Sequence, residues 1–430
     1  MRFAAFNPAL PLFIAIVACS GISNAPRIGE AAPSSDTPSK SVACDARDAV
    51  ATATQQFLAP ALRLPKGFAI QTIAGISGAR ELASLPNGDL IVGTQGRQVY
   101  IVPDAEGKAG PPQVFATLDD DQAAGIAFSQ VRCEIYVATT HHVWAIPYHG
   151  ERVAQHVARI ANVRTGPVAP GTDGDVHTTT SVAYTEGLIY AAAGSSCNAT
   201  MDHGKKPCTE VDPTRAAVSI LKPNGADFSQ RAKRIRNAIA LAVNPETHSL
   251  WVGGAGQDDL PTGHPYEYLD NLSAHPGDAD YGWPECEENH HDYWPGYNCS
   301  KTVEPLVELP AYSTIIGATF YPLHQAGAHA FPSHYRGGIF AAVHGSWHTN
   351  GGGCYVAPPR VVFVAMNGDR PAHPVDWKNP ATQWADFLTG FQTNCTDRIG
   401  RPTGISVGPQ GSLFVADDAA GLIYRVRPAP

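Results

Sequence analysis

The stretch Leu82-Ala83-Ser84-Leu85-Pro86-Asn87-Gly88-Asp89-Leu90-Ile91-Val92-Gly93 decides the fold. A short apolar run meets a Pro-Asn-Gly-Asp turn, and a second apolar run closes in small residues. Such alternation around a turn cluster is the signature of paired strands. The unit then recurs. Ile126-Ala127-Phe128 is followed by Ile135-Tyr136-Val137-Ala138, and Val182-Ala183-Tyr184 by Ile189-Tyr190-Ala191-Ala192. Leu241-Ala242-Val243 precedes Leu250-Trp251-Val252-Gly253, and Ala318-Thr319-Phe320 precedes Ile339-Phe340-Ala341-Ala342. The sixth copy is Ile405-Ser406-Val407 with Leu413-Phe414-Val415-Ala416.

A further strand often follows each pair, as in Gln98–Val102, Val143–Ile146, Arg360–Val364 and Leu422–Val426. Repeated strand triplets are how radial β architectures are written. The sequence therefore predicts an all-β, six-bladed β-propeller, with small residues closing the inner strands so that blades crowd the axis. A pair of β-sandwiches is the rival, and six similar units favour radial repetition. The long gap 255–312 reads as loops at one mouth, where binding residues gather. A helix is expected near 45–58.

The chain has 430 residues, 43% hydrophobic and 16% charged, enough apolar material for a large core and too much for a disordered chain. Its net charge of −9 and lack of a basic run exclude a phosphate-binding surface, so no nucleic-acid partner is expected. Arg2 followed by apolar Ala9–Ala18 reads as a signal peptide over 1–18. Ile16-Val17-Ala18-Cys19 resembles a lipobox, which would put a lipid on Cys19; the alternative is cleavage further on, near Ala25. Residues 19–43 then form a lipidated or flexible tether, and 44–430 the propeller domain. The chain is expected to be exported, periplasmic or anchored at the outer membrane, and to meet the membrane only through that lipid. Without Cys19, eight cysteines remain, an even number as a disulfide framework requires. Cys197 with Cys208 and Cys286 with Cys299 are predicted as local staples in turn-rich loops. Cys44–Cys133 and Cys354–Cys395 follow only by elimination.

Three polar segments sit at one blade position, just before the first strand of a repeat. They are His177 with Thr178-Thr179-Thr180-Ser181, Arg236-Asn237, and Arg401-Pro402-Thr403-Gly404. Equivalent positions in a propeller converge around the axis on one face. A His, an Arg and an Asn there supply a base, a fixed charge and an orienting amide. A structural role, tying one blade to the next, is the alternative for each.

Several stretches resemble the glucose/sorbosone dehydrogenase family of pyrroloquinoline quinone (PQQ) enzymes, over roughly 62–428. They are Leu64-Pro65-Lys66-Gly67-Phe68 with Ala79-Arg80; His177 with Ala193-Gly194-Ser195-Ser196-Cys197-Asn198; Arg236-Asn237; Tyr335–Phe340 with His344-Gly345-Ser346-Trp347; and Gly400–Gly404 with Val415-Ala416-Asp417-Asp418. The resemblance implies a quinoprotein that oxidises a sugar (an aldose, a sorbosone-like aldehyde or a related alcohol) and passes electrons to an external acceptor. It implies His177 as general base, Arg236 as stabiliser of the reduced quinone, and Asn237, Arg401, Arg360, Thr314 and His348 as cofactor contacts, with Ser313 beside them. It implies Ca²⁺ held at Gly256 and Gln257. The chain departs from the family after Trp347, where His348-Thr349 replaces Asn-Arg. That departure supports the competing reading of a non-catalytic binding propeller that has lost its cofactor. The aromatic loop Tyr281–Pro295 is expected either to stack against a sugar or simply to pack its own loop.

Overall fold

The computed structural model describes residue 44 and residues 61–170, 175–199, 208–258, 263–293 and 296–430. Six sheets form the blades: five are four-stranded and antiparallel, and that of blade 3 adds a fifth strand, Ala279–Asp280, paired in parallel. Their first strands are Ala79–Ser84, Gly125–Ser129, Thr180–Thr185, Ala240–Val243, Ile315–Phe320 and Pro402–Val407, for blades 1 to 6 in that order. Each packs against the next, and the last returns to blade 1, so the ring is closed. The expected all-β six-bladed propeller is the fold, with no α-helix among the described residues. No described helix is long and apolar enough to cross a membrane. The helix expected near 45–58, the signal segment, Cys19 and the tether lie outside the described residues.

Closure joins the two ends of the domain. Phe68–Gly75 pairs antiparallel with Leu422–Pro428 and becomes the outer strand of blade 6. This leaves no open edge at the seam.

Two expectations change in detail. Each blade adds an outer strand to the triplet, which in blade 6 comes from the start of the domain. In blade 4 those strands, Glu267–Asn271 and Val307–Leu309, lie inside the gap read as loop. They carry Glu267, Asp270 and Glu308, which mask the apolar pattern, yet all three are buried. The small residues that end each repeat close the second strand of a blade, as at Gly93, Ala138 and Ala193. Close approach to the next blade is made there, a Cβ on Gly93 falling 2.3 Å from the Ala124 carbonyl oxygen, and also at glycines on the first strands. A Cβ on Gly125 would lie 2.5 Å from the Thr180 carbonyl oxygen, on Gly317 2.3 Å from that of Thr403, and on Gly404 2.1 Å from that of Arg80. These neighbours are backbone atoms of the next blade and cannot swing away. Gly404→Ala is therefore expected to cost about 1–3 kcal/mol of unfolding free energy, read by urea denaturation.

All four disulfides predicted from the cysteine count are formed: Cys44–Cys133, Cys197–Cys208, Cys286–Cys299 and Cys354–Cys395. The first ties a residue ahead of the propeller to blade 2.

Candidate functional site

All first strands run the same way, so the residues entering them and the loops between second and third strands share one face. On that face a nearly continuous chain of contacts runs round the axis. His177 is placed by its backbone. Arg164, its side chain fully buried, donates to the carbonyl oxygens of His177 and of Thr179 (3.1 Å). The imidazole Nδ1 lies 2.7 Å from the Ser195 carbonyl oxygen. A carbonyl can only accept, so Nδ1 carries the proton and Nε2 is left as the acceptor. Nε2 has no protein partner among the described residues and is not enclosed. Burial, with the nearby charges of Arg236 and Arg164, pushes the imidazole well below its ordinary value, against the pull of the Ser195 carbonyl.

Gly194 lets this corner close. A Cβ there would lie 2.5 Å from the His177 Cβ and 2.6 Å from the Asn237 Oδ1. His177 and Asn237 thus flank one bare backbone position. Arg236 is buried and fully engaged. Its Nε donates to the Asn198 carbonyl (2.7 Å), Nη1 to the Ala255 carbonyl (3.2 Å), and Nη2 to Asn198 Oδ1 (2.7 Å) and Asp258 Oδ2 (3.2 Å). The guanidinium lies 5.8 Å from the ring centroid of Trp283, whose indole N–H donates to Ser195 Oγ at 3.1 Å. Trp283 and Tyr281 are buried beneath the site, so this part of the aromatic loop packs it from below. Trp294 and Pro295 lie outside the described residues.

Asp258 carries the ring onward, its Oδ1 lying 2.9 Å from His348 Nε2. His348 packs between the rings of Tyr312 and Trp347, at 4.4 and 3.9 Å. Trp347 is 60% exposed, the most exposed aromatic side chain of the described propeller, and stands on this rim. Ser313 and Thr314 enter through their backbone, accepting from Gly345 N–H (2.8 Å) and His344 N–H (2.9 Å). Thr314, at φ 54°, is a β-branched residue held in the left-handed region, a strained state that these bonds enforce.

Arg401 lies across the mouth, donating to the carbonyls of His344 (3.0 Å) and Gly345 (2.8 Å). Arg398 donates to the carbonyls of Ser346 and Ala357 and lies 3.7 Å over Tyr355. Neither has a carboxylate partner among the described residues. Burial, with the charge of Arg398, brings Arg401 down to about 10. His344 completes the circuit through Asp418 (2.9 Å), which pairs with Arg80 (2.9 Å), which reaches Thr179 (3.4 Å). Burial takes His344 down to about 4 in spite of Asp418.

The structure thus brings together His177, Arg236, Asn237, Thr314, His348 and Arg401. It does not bring Arg360, which pairs with Asp386 (3.0 Å) and lies 4.9 Å over Trp384 on the outer strand of blade 5. Gly256 and Gln257 follow Ala255 directly behind Arg236. The Gln257 side chain is buried and donates to Glu287 (2.9 Å), which burial pushes up to about 8. Arg164, Arg398 and the bridging role of Asp258 went unread. A lone arginine in a polar turn carries no directional signal in sequence.

A TrAA12-like family profile matches residues 288–429. An uncharacterized protein of Borreliella burgdorferi is 24% identical over 229 residues, 52% of this chain and 55% of that protein. The chain therefore spans little more than half of that relative. The calcium structure of the Trichoderma reesei carbohydrate-active enzyme of family AA12 superposes with a TM-score of 0.68 at 18% identity, covering 88% of this chain and 100% of that one. The holo form of the pyranose dehydrogenase PQQ domain from Coprinopsis cinerea gives 0.66 at 18% identity, covering 87% and 98%. The PQQ-bound aldose sugar dehydrogenase of Streptomyces coelicolor gives 0.52 at 15% identity, covering 85% and 100%. At such identities what is shared is the fold, and the resemblance drawn from the sequence holds at that level.

Proposed function

We propose that this chain is a quinoprotein dehydrogenase that oxidises a sugar or related alcohol at the propeller mouth, using PQQ and Ca²⁺. The observation that carries the proposal is His177, held as the Nδ1–H tautomer with Nε2 open, beside the buried guanidinium of Arg236. The mouth fits the cofactor by its donor set. Arg398 and Arg401 are two guanidiniums whose hydrogen bonds go to carbonyl oxygens, with Asp418 the carboxylate acting on Arg401, an arrangement that suits a polycarboxylate. Thr349 stands where the family carries an arginine, and His348 beside it is oriented by Asp258. The carbonyls of Gly256 and Gln257, with Asp258, offer hard oxygens for Ca²⁺.

Bound PQQ would supply the acceptor for the hydride, and Ca²⁺ would polarise it. The chain's own part is the proton. Nε2 of His177 takes it from the substrate hydroxyl as the carbon-bound hydrogen leaves with its electron pair. Arg236, fixed by Asn198, Ala255 and Asp258, presents a charge that does not reorganise as negative charge develops nearby. Asn237 orients the cofactor, and Trp347 offers an exposed ring at the entrance. The same reading makes this an exported protein with an external electron acceptor, in keeping with its four disulfides.

The test is dye reduction by purified protein given PQQ, Ca²⁺ and a panel of aldoses and alcohols. Quinone-dependent turnover is expected. Its absence across the panel, with folded protein, favours the non-catalytic propeller. The pH profile adds a second check. An ordinary histidine base loses its lone pair as pH falls through about 6.5. The His177 pKa is depressed, so the neutral base persists to lower pH. The acid limb of kcat/KM is expected well below that of an ordinary histidine, with little loss between about pH 7 and 6.

A further inference from the structure

The blade 4 strands that carry carboxylates hold an anomaly that the mouth does not use. Glu308 and Asp270 are both fully buried. Neither Glu308 Oε1 nor Oε2 has a hydrogen-bond partner, and Asp270 Oδ1 has none. The other oxygen of Asp270 is satisfied by Tyr281 Oη (2.7 Å) and His275 Nε2 (2.8 Å). Buried carboxylate oxygens are almost always paired, because leaving them bare costs several kcal/mol.

Register places the two groups together. Glu308 pairs with Tyr268, so both side chains stand on one face of the sheet, and Asp270, two residues on, shares it. Diagonal neighbours of this kind lie close enough for long side chains to meet. The face packs on blade 3, where Tyr268 stacks on Tyr281 with ring centroids 5.6 Å apart. The charged groups acting on Glu308 are Glu288, Asp270 and Glu304, all acidic; burial and these charges push it well above the ordinary carboxylate range. Glu304, with 45% of its side chain exposed, opens this charge to solvent at the blade edge.

We propose that Glu308 and Asp270 hold a divalent cation of the oxygen-seeking class, Ca²⁺ by its donors, between blades 3 and 4. Asp270 stands three residues below the mouth end of its strand, roughly 10 Å, and Glu308, in register with Tyr268, one residue below it; both face blade 3. Among the described residues no three carboxylates bring oxygens within 4.8 Å of one another. The cation is therefore held by these two side chains, with water and backbone oxygens completing a sphere that Ca²⁺ tolerates. It clamps the outer half of blade 4 onto blade 3.

The experiment is calcium chloride titrated into the whole chain after EDTA treatment, without quinone, followed by calorimetry and thermal unfolding. Wild type and Asp258→Asn, altered only at the mouth, are both expected to gain in Tm with Ca²⁺. Glu308→Gln is expected to lose at least about tenfold in affinity at this site and to gain less in Tm than wild type, the remaining gain coming from the mouth. In EDTA it should be at least as stable as wild type, since a buried unpaired charge is gone. Asp270→Asn, measured beside it, should give the same loss of response. The proposal is overturned if wild type gains nothing from Ca²⁺, if the gain survives undiminished in both variants, or if Asp258→Asn alone abolishes it.

Discussion

Replacing His177 by alanine is expected to lower kcat/KM for quinone-dependent sugar oxidation by at least a factor of about 100, and up to about 10,000. The fold should be untouched. Among the described residues the imidazole makes one hydrogen bond, to the Ser195 carbonyl, and the segment is held through its backbone by Arg164. Ser195 keeps its other anchors, with its N–H donating to the Arg236 carbonyl (2.7 Å) and its hydroxyl meeting Glu210 (2.5 Å). Steady-state kinetics with a fixed dye, beside urea unfolding, separates the two effects. A variant that unfolds with wild-type midpoint and turns over at the wild-type rate would remove His177 from the chemistry.

Arg236→Ala is expected to cost both activity and stability. Its guanidinium makes four hydrogen bonds and lies near Glu267 and Glu287, which burial pushes up to about 8 and its charge partly pulls back. Without it, buried Glu267 and Glu287 lose their nearest cation and Asp258 keeps only His348. Removing one partner of such a buried set costs about 3–5 kcal/mol. The rate should fall at least about 100-fold, because a preorganised charge is lost. Arg236→Lys keeps the charge but not the fork that grips Asn198 with two nitrogens. It should recover much of the stability and little of the rate, as read by urea denaturation and kcat. Equal recovery of both would make Arg236 a structural residue only.

The inner strands were legible because each alternates apolar residues and is followed by a strand ending in Gly or Ala. Val182-Ala183-Tyr184 with Ile189–Ala192 is an instance, and the two segments form adjacent antiparallel strands. Blade 4 was legible only in its first half. Glu267, Asp270 and Glu308 stand where a strand pattern wants apolar side chains, and nothing in a charged residue's identity announces that it is buried. The position of His177, Arg236-Asn237 and Arg401 came from blade equivalence, which the closed ring of first strands explains physically. Arg360 shows the limit of that logic. It begins the third strand of its blade, where a side chain answers to the outer strand and not to the axis. Arg398 was missed because it follows the polar turn Asn394-Cys395-Thr396-Asp397, whose composition says only that the chain bends. The departure at His348 reads differently once Asp258 and Tyr312 are seen to hold that ring in the mouth.

The most direct measurement is an equilibrium titration of the purified protein with PQQ, in the presence and absence of Ca²⁺. Saturable binding of one quinone per chain is predicted, strengthened by Ca²⁺ and weakened at least about tenfold when Arg398 and Arg401 are both replaced by alanine. No saturable binding by folded wild-type protein, with Ca²⁺ present, would contradict the assignment of this mouth as a quinoprotein site.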